Sequence, residues 1–476
     1  MPRRELALGA LTGGSRAGVE HYLGIPFARS PTGPQRFRRP EPPMPWSGTR
    51  DATRRGPAPI QPEVIGLGMR GAASTSEDCL TLNIFTPACD AARRPVFMWI
   101  FGGAYTNGDG ADALFDGSAL AAQQGLVVVT FNYRLGALGF AGVSDTNCGL
   151  ADQIAALQFV QAHIERFGGD PGCVTVVGES AGAMSVCNLL SSPAASNLFH
   201  RAIAQSGTAD NVATQDQAQE AAQVFQAQLA QPPVDADTGA ILAAQAATAR
   251  MLRPRHRALP FRPALDGDLL PEAPLDVAHR STVPLIMGMN AHENRLYVRP
   301  SLALDDDELL SRIVSRVGES APAVLAHYRR QRPLSTINPN AAILSDIDTH
   351  LFFRRPLLAY TGARTAPTWL YQFDWPSPAL RGWLGACHAI EIPFVFGNFE
   401  ARSTAKFSGA GPDASALSHR VMSLWGHFAR HGQPSASWPR ATAEDPQQLH
   451  IDRVMHIASL ANDATYQFWS SLDAAI

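Results

Sequence analysis

Residues 173–190 read CVTVVGESAGAMSVCNLL. The first five are apolar or β-branched, as in a strand buried on both faces. The run from Ala181 onward is built of helix formers. Between them lies Gly178-Glu179-Ser180-Ala181-Gly182, with a glycine two residues either side of a serine. That spacing predicts strand, sharp turn, helix, with the serine lifted clear of its neighbours. A helix beginning just after the serine aims its first amides and its positive dipole end at any oxygen that gains charge there. Ser180 is the candidate nucleophile. Read without chemistry, the same residues describe a glycine-lined turn around a buried serine.

Working outward, further short apolar runs read as parallel strands: 95–101 (PVFMWIF), 126–131 (LVVVTF), 199–206 (FHRAIAQS), 283–288 (VPLIMG) and 368–375 (TWLYQFDW). They lack in/out alternation, as strands covered by helices do. Residues 150–169 place Leu150, Ile154, Leu157, Val160, Ile164 and Phe167 at helical spacing, and Gly168-Gly169 stops the run. Strand, helix, strand in that order predicts a right-handed parallel crossover, and the chain reads as an α/β protein with an open sheet. Residues 209–282, rich in Ala and Gln, and 301–366, rich in charge and helix formers, read as helical insertions over the functional edge. No stretch has a flexible linker's composition, so one domain over 1–476 is expected.

A second glycine-rich turn supports Ser180. Residues 95–110, PVFMWIFGGAYTNGDG, run from a buried strand straight into Gly102-Gly103-Ala104. Small side chains let a backbone approach a substrate oxygen closely, and acyl transfer needs such N–H groups where an oxyanion develops. The Gly102-Gly103-Ala104 loop, with Ala181, holds the candidate donors, and Tyr105 beside it is a candidate substrate contact. An ordinary βα turn is the structural alternative.

A serine nucleophile needs a base and an acid that orients it. Of fourteen histidines, His388 in GACHAIEIPFVFG (385–397) has the most distinctive setting, after a small-residue turn and before an apolar segment. In this kind of sheet the chain order is serine, acid, histidine. Glu293 in PLIMGMNAHENR (284–295) lies just past a strand, where carboxyl edges meet active sites. The competitors are Asp266 and Asp268, which read as a turn, and Asp346 and Asp348, which read as a helix cap. Glu179, the residue before the nucleophile, is a candidate substrate-site residue that could stabilise an imidazolium or equally satisfy buried amides. Ser206 reads as a hydrogen-bonding group near the acid and base or as a plain strand-end turn, Glu391 as a buried hydrogen-bonded neighbour, and Trp375, Trp383, Tyr297 and Phe394 as possible gorge walls.

With these residues on the page, the chain resembles the type-B carboxylesterases, a group that includes bacterial para-nitrobenzyl esterases and cholinesterases. The likeness runs through YLGIPFARSPTGPQRFRRPEP (22–42), SEDCLTLNIFTP (76–87), FGGAYTNG (101–108), FNYRLGALGF (131–140), 149–183, PLIMGMNAHEN, GACHAIEIPFVFG and FARHGQPSASWPR (428–440). It implies the α/β-hydrolase fold: a mostly parallel central sheet flanked by helices, with helical insertions over the active-site edge. It also implies a serine esterase with triad Ser180, Glu293 and His388 and oxyanion amides at Gly103, Ala104 and Ala181. It implies short- to medium-chain alkyl or aryl ester substrates, and an oxyanion loop that admits bulky, even tertiary, alcohols.

The departures are Phe101 where many relatives carry His or Tyr, Ala104 at a frequent third glycine, Asn294 at the usual glycine after the acid and Ala389 at the glycine after the histidine. No cysteine precedes Cys79, so the loop that many secreted relatives bridge is expected to be unbridged. The tryptophan that cholinesterases carry shortly before EDC is missing from VIGLGMRGAASTSEDC (64–79), which argues against choline esters.

Composition narrows the rest. The chain has 476 residues, 17% charged, with net charge −3, so no basic field marks a nucleic-acid partner. The N-terminal MPRRELALGALTGG carries Glu5 and too short an apolar run for a signal peptide, and no run of about 18 apolar residues predicts a membrane span. Six scattered cysteines without C-x-x-C spacing read as thiols of a reducing compartment, so the expected location is cytoplasmic. No cofactor and no metal is expected. The partner is a small-molecule ester, and the state a monomer or small homo-oligomer. A non-catalytic binding protein, or a thioesterase, amidase or lipase on the same triad, are the competing functions.

Overall fold

The computed structural model describes residues 1–63, 74–253, 259–331, 338–401, 404–442 and 445–473. Eleven strands form one sheet: β1 (Gly14–Arg16), β2 (Val19–Pro26), β3 (Thr81–Thr86), β4 (Arg94–Ile100), β5 (Val127–Phe131), β6 (Gly169–Glu179), β7 (Arg201–Gln205), β8 (Leu285–Asn290), β9 (Thr368–Phe373), β10 (Gln447–Ile451) and β11 (His456–Ser459). Their spatial order is β11-β10-β9-β8-β7-β6-β4-β5-β3-β2-β1. From β5 through β10 every neighbouring pair is parallel; the outer strands at both ends are antiparallel.

The predicted runs at 95–101, 126–131, 199–206, 283–288 and 368–375 all carry strands, each within a few residues of the expected bounds. Their side chains are buried with no alternation: β5 and β8 are buried at every position. The helix read from 150–169 is α1 (Cys148–His163), closed by a short 3-10 turn and by Gly168 at φ 78°. Both insertions carry helices among their described residues, though 259–277 of the first is turn and loop. The first holds α2 and α3 of the insertion set, Gln215–Ala227 and Thr238–Leu252; the second holds α4 (Asp306–Val317), α5 (Ala321–Gln331), α6 (Pro339–Thr349) and α7 (Arg355–Gly362).

The strand order creates the site. After β4 the chain turns to one side to form β5, whereas after β6 it turns to the other to form β7. Loops leaving β4 and β6 therefore diverge and leave a crevice at their carboxyl ends, the switch point where open α/β sheets bind ligands. Ile100 at the end of β4 is paired with Gly178 near the end of β6. That register puts the 102–104 turn beside the serine turn.

Strands β1, β2 and β11 do not stand out in the sequence: they lie in the antiparallel outer parts of the sheet and keep exposed or half-buried positions, so they need fewer apolar residues than strands covered on both faces. The N-terminus is also strand: Arg3–Leu6 pairs with Gly9–Thr12. Cys79, Cys89, Cys148, Cys173, Cys187 and Cys387 are all free, so the loop at Cys79 is unbridged. No helix among the described residues is long and apolar enough to cross a membrane. Residues 64–73, where cholinesterases carry their tryptophan, lie outside the described residues.

Candidate active site

Ser180 sits between β6 and the helix Ala181–Ser191 at φ 57°, ψ −123°. A non-glycine residue with positive φ is strained, and here the strain aims the side chain out of the turn. Its amide donates to Gln205 O at 2.9 Å and its carbonyl accepts from Met184 N at 2.9 Å, which hold the bend. Gly182 shows why the motif needs a small residue: a Cβ there would lie 2.0 Å from Ile100 O. The helix thus packs its first turn directly on the end of β4. Ala181, its first residue, has an amide without an intrahelical acceptor.

The loop after β4 faces this elbow. A Cβ on Gly102 would meet Ser180 Cβ at 2.8 Å. Gly103, Ala104 and Tyr105 take successive φ values of 111°, 55° and 59°, which fold the backbone back on itself. The turn is held by Thr106 N donating to Gly103 O at 3.0 Å, Gly136 N to Tyr105 O at 2.7 Å and Tyr133 Oη to Phe101 O at 2.9 Å. From the first insertion, Gln245 Oε1 accepts from Ala137 N at 2.9 Å and so braces the segment behind that loop.

Tyr105 departs from its expected role as a substrate contact. Its ring has 0% exposure, packs on Phe140, and its hydroxyl accepts from Ser185 Oγ at 3.3 Å. It braces the loop from beneath. The aromatics expected as walls divide in the same way: Trp375, Trp383 and Phe394 are core, and Tyr297 alone is exposed, its ring 5.6 Å from that of His388. A wall that sequence reasoning missed is Phe353, 5.3 Å from the same imidazole. It lies in a stretch, HLFFRRP, whose pattern reads simply as helix.

His388 and Glu293 meet as expected. His388 Nδ1 lies 2.6 Å from Glu293 Oε2, and Glu293 Oε1 accepts the Asn290 amide at 2.6 Å. Glu293 has no accessible surface. Bonding at Nδ1 leaves Nε2 outside that pair, buried and with no partner in hydrogen-bonding geometry among the described residues. Glu179, next to the serine, brings Oε1 to 3.0 Å from that nitrogen.

A third carboxyl, Glu391, accepts from Gln205 Nε2 at 3.0 Å and Asn290 Nδ2 at 2.7 Å, so it is the satisfied structural neighbour it was read as. Ser206, at φ 53°, has its Oγ buried with no partner among the described residues.

These charges act on one another. Burial pulls the imidazole of His388 down, but the Glu179 and Glu293 carboxylates outweigh it and hold the ring above the ordinary histidine range. Burial pushes the Glu179 carboxyl up, and the His388 imidazolium opposes that push. Burial also raises Glu391.

The competing acids are elsewhere. Asp266 accepts the amides of Asp268 and Leu270, the expected turn. Asp346 and Asp348 are not caps; both lie inside α6, where Asp348 pairs with Arg316 and Asp346 lies 3.7 Å from Arg295. The pair reads as a cap because a helical run follows it, but the helix already begins at Pro339, capped by Asn338. Among the described residues no group of three or more His, Cys, Asp or Glu side chains is placed to hold a metal.

A serine on a strand–helix elbow at the switch point of a parallel sheet, beside a buried carboxylate–imidazole pair, defines the class: a serine hydrolase on the α/β-hydrolase fold. Comparison with known proteins narrows it. A family model described as the carboxylesterase family matches residues 2–469. The para-nitrobenzyl esterase of Bacillus subtilis is 37% identical over 467 residues, covering 93% of each chain. The fumonisin B1 esterase of Sphingopyxis macrogoltabida is 36% identical over 90% of this chain and 82% of its own. Among solved structures, a thermophilic PNB esterase superposes with a TM-score of 0.86 at 35% identity, covering 98% of this chain and 99% of its own. A carboxylesterase of Geobacillus stearothermophilus gives 0.86 at 32%, with the same coverage. The chain belongs to the carboxylesterase family and is a carboxylic-ester hydrolase.

Proposed function

We propose that Ser180, His388 and Glu293 are nucleophile, base and orienting acid in ester hydrolysis through an acyl-enzyme. Ser180 Oγ attacks the ester carbonyl as His388 Nε2 takes its proton. The resulting oxyanion is held by the amides of Gly103, Ala104 and Ala181. Collapse expels the alcohol, which receives the proton from His388. Water then repeats the sequence on the acyl-enzyme and releases the acid and free Ser180.

The observation that carries this reading is the His388–Glu293 pair. The 2.6 Å contact at Nδ1 leaves Nε2 as the working nitrogen, 3.0 Å from the carboxyl of Glu179, the residue before Ser180. Glu293 fixes the tautomer and stabilises imidazolium, and Glu179 adds a second favourable charge on the Nε2 side.

The substrates are short- to medium-chain alkyl or aryl esters. The relative named for a para-nitrobenzyl ester supports an aromatic alcohol portion. The chain acts as one domain, as a monomer or small homo-oligomer. A cytoplasmic location accords with its free thiols. A p-nitrophenyl ester series from acetate to palmitate tests the substrate class. Turnover should peak at the short to medium acyl chains and fall steeply toward palmitate; a maximum at palmitate would reassign the protein as a lipase.

A further inference from the structure

Helix α6 does not stop at Thr349. It passes through one π-helical turn, His350–Arg354, and continues as α7. The sequence supplies the cause. Pro356 has no N–H to offer the carbonyl of Phe352, and its ring crowds that carbonyl, so the ladder widens just upstream. A widened turn holds one extra residue and re-aims the side chains within it.

This turn touches three parts of the molecule. Just before it, Thr349 Oγ1 accepts the Asn294 amide at 3.0 Å, and Asp348 Oδ2 accepts Asn294 Nδ2 at 3.3 Å, so the helix grips the residue after Glu293. Within it, Phe353 lays its ring 5.3 Å from the His388 imidazole at 55°. From the same turn, His350 stacks on Trp469 of the C-terminal helix Ala464–Asp473, with ring centroids 4.4 Å apart and planes 9° from parallel. Trp469 is itself fixed, with Nε1 donating to Tyr328 Oη at 3.1 Å.

His350 Nδ1 is buried with no hydrogen-bond partner among the described residues, so stacking is a principal hold on that ring. Burial, with Arg354 and Arg355 nearby, pushes His350 down to about 2, and the stack stays uncharged through the working pH range.

We infer that Phe353 is a positioning residue for the catalytic base, and that Trp469 sets Phe353 through the His350 stack and the π-helical turn. The bond from Nδ1 to Glu293 fixes one edge of the imidazole but leaves its tilt free. Tyr297 on its other contact is 60% exposed and is a soft wall. Phe353, carried on a continuous helix, is the firm one. The C-terminal helix thus reaches the active site without touching substrate. This inference rests on His388 being the base.

The test compares Phe353→Ala, Trp469→Ala, Trp469→Phe and the Phe353→Ala/Trp469→Ala pair in the full chain, with p-nitrophenyl butyrate across pH. Small misplacements of a reacting group cost about 10- to 100-fold. Phe353→Ala and Trp469→Ala should each lower kcat about 10-fold or more and change KM less than about 3-fold. A ring that slips from Glu179 and Glu293 loses part of its raised pKa, so the rising limb of the kcat/KM profile should move to lower pH. Trp469→Phe, which keeps a stacking ring, should restore both. The double variant should be no worse than Phe353→Ala, because the two act in series. If Trp469→Ala does not fold, Trp469→Leu supplies the same contrast with Trp469→Phe.

The inference is overturned if loss of the Trp469 ring lowers thermal stability but leaves kcat and the pH limb unchanged, or if the losses multiply in the double variant. Should His388→Ala keep its turnover, the base assignment itself fails. Should His388→Ala abolish turnover while these variants leave kcat and limb intact, only the positioning role fails.

Discussion

His388 Nε2 lies 3.0 Å from Glu179 Oε1, on the opposite edge of the ring from Glu293. The imidazole is therefore held between two carboxyls, one at each nitrogen, and a base in that setting keeps its proton to higher pH than a free histidine.

Glu179→Gln separates the two carboxyl effects. Glu179 and Glu293 raise the imidazole against the lowering effect of burial. Only the neutral ring accepts the serine proton, so activity appears as pH rises through that raised value. Removing the Glu179 charge lowers the value, and the rising limb of kcat/KM should move to lower pH. The plateau kcat should fall about 10-fold, because imidazolium in the transition state loses a favourable charge. A pH–rate series on the two proteins checks this; a limb that stays put or moves to higher pH contradicts it.

Gly182→Ala tests the packing of the elbow. The added Cβ would meet Ile100 O at 2.0 Å, a contact that requires the helix and β4 to separate. Backbone cannot yield as a flexible side chain does, so a loss of about 2 kcal/mol or more is expected. The same shift moves the Ala181 amide, and kcat should fall about 100-fold. Denaturant unfolding and butyrate turnover measure the two effects; near-normal values of both would show that the elbow is loosely packed.

Stability depends strongly on a pair outside the site. Arg134 donates to Asp152 from its amide, Nε and Nη2 at 3.0, 2.8 and 2.7 Å, and both side chains are buried. Asp152→Ala strands a guanidinium in the core and should cost about 3–5 kcal/mol. Thermal unfolding checks it. A loss under about 1 kcal/mol would mean that water reaches Arg134.

The oxyanion loop bears on the alcohol portion. Ala104 holds φ 55° with only a methyl group on the turn. Hydrolysis of a tert-butyl ester alongside its n-butyl isomer should show measurable tertiary turnover. Good n-butyl turnover with none for the tertiary ester would discard the bulky-alcohol reading.

The parallel heart of the sheet was legible because strands buried on both faces write themselves as unbroken apolar runs, as β5 and β8 do. The elbow was legible because its glycines are demanded by close backbone contacts, Gly178 by Gly182 O four residues on and Gly182 by Ile100 O at the end of β4. Gorge walls were not. Trp375, Trp383 and Phe394 are as apolar as Tyr297, and hydrophobicity does not say whether a ring faces core or cleft. Tyr105 was misjudged for the same reason, since proximity to Ala104 in sequence says nothing of which side of the loop its ring occupies. Phe353 was hidden because its direction comes from a π-helical turn. Ala104 and Ala389, read as departures from glycine, both take positive φ, 55° and 66°, so the turns persist without it.

The most direct measurement is peptide mapping by mass spectrometry after reaction with a p-nitrophenyl phosphonate ester, which phosphonylates an activated serine. The account predicts one adduct per chain on the peptide containing Gly178-Glu179-Ser180, with loss of butyrate turnover in proportion, and no adduct or turnover in Ser180→Ala. An adduct on another residue, or a Ser180→Ala chain that still turns over ester at the original rate, would contradict it.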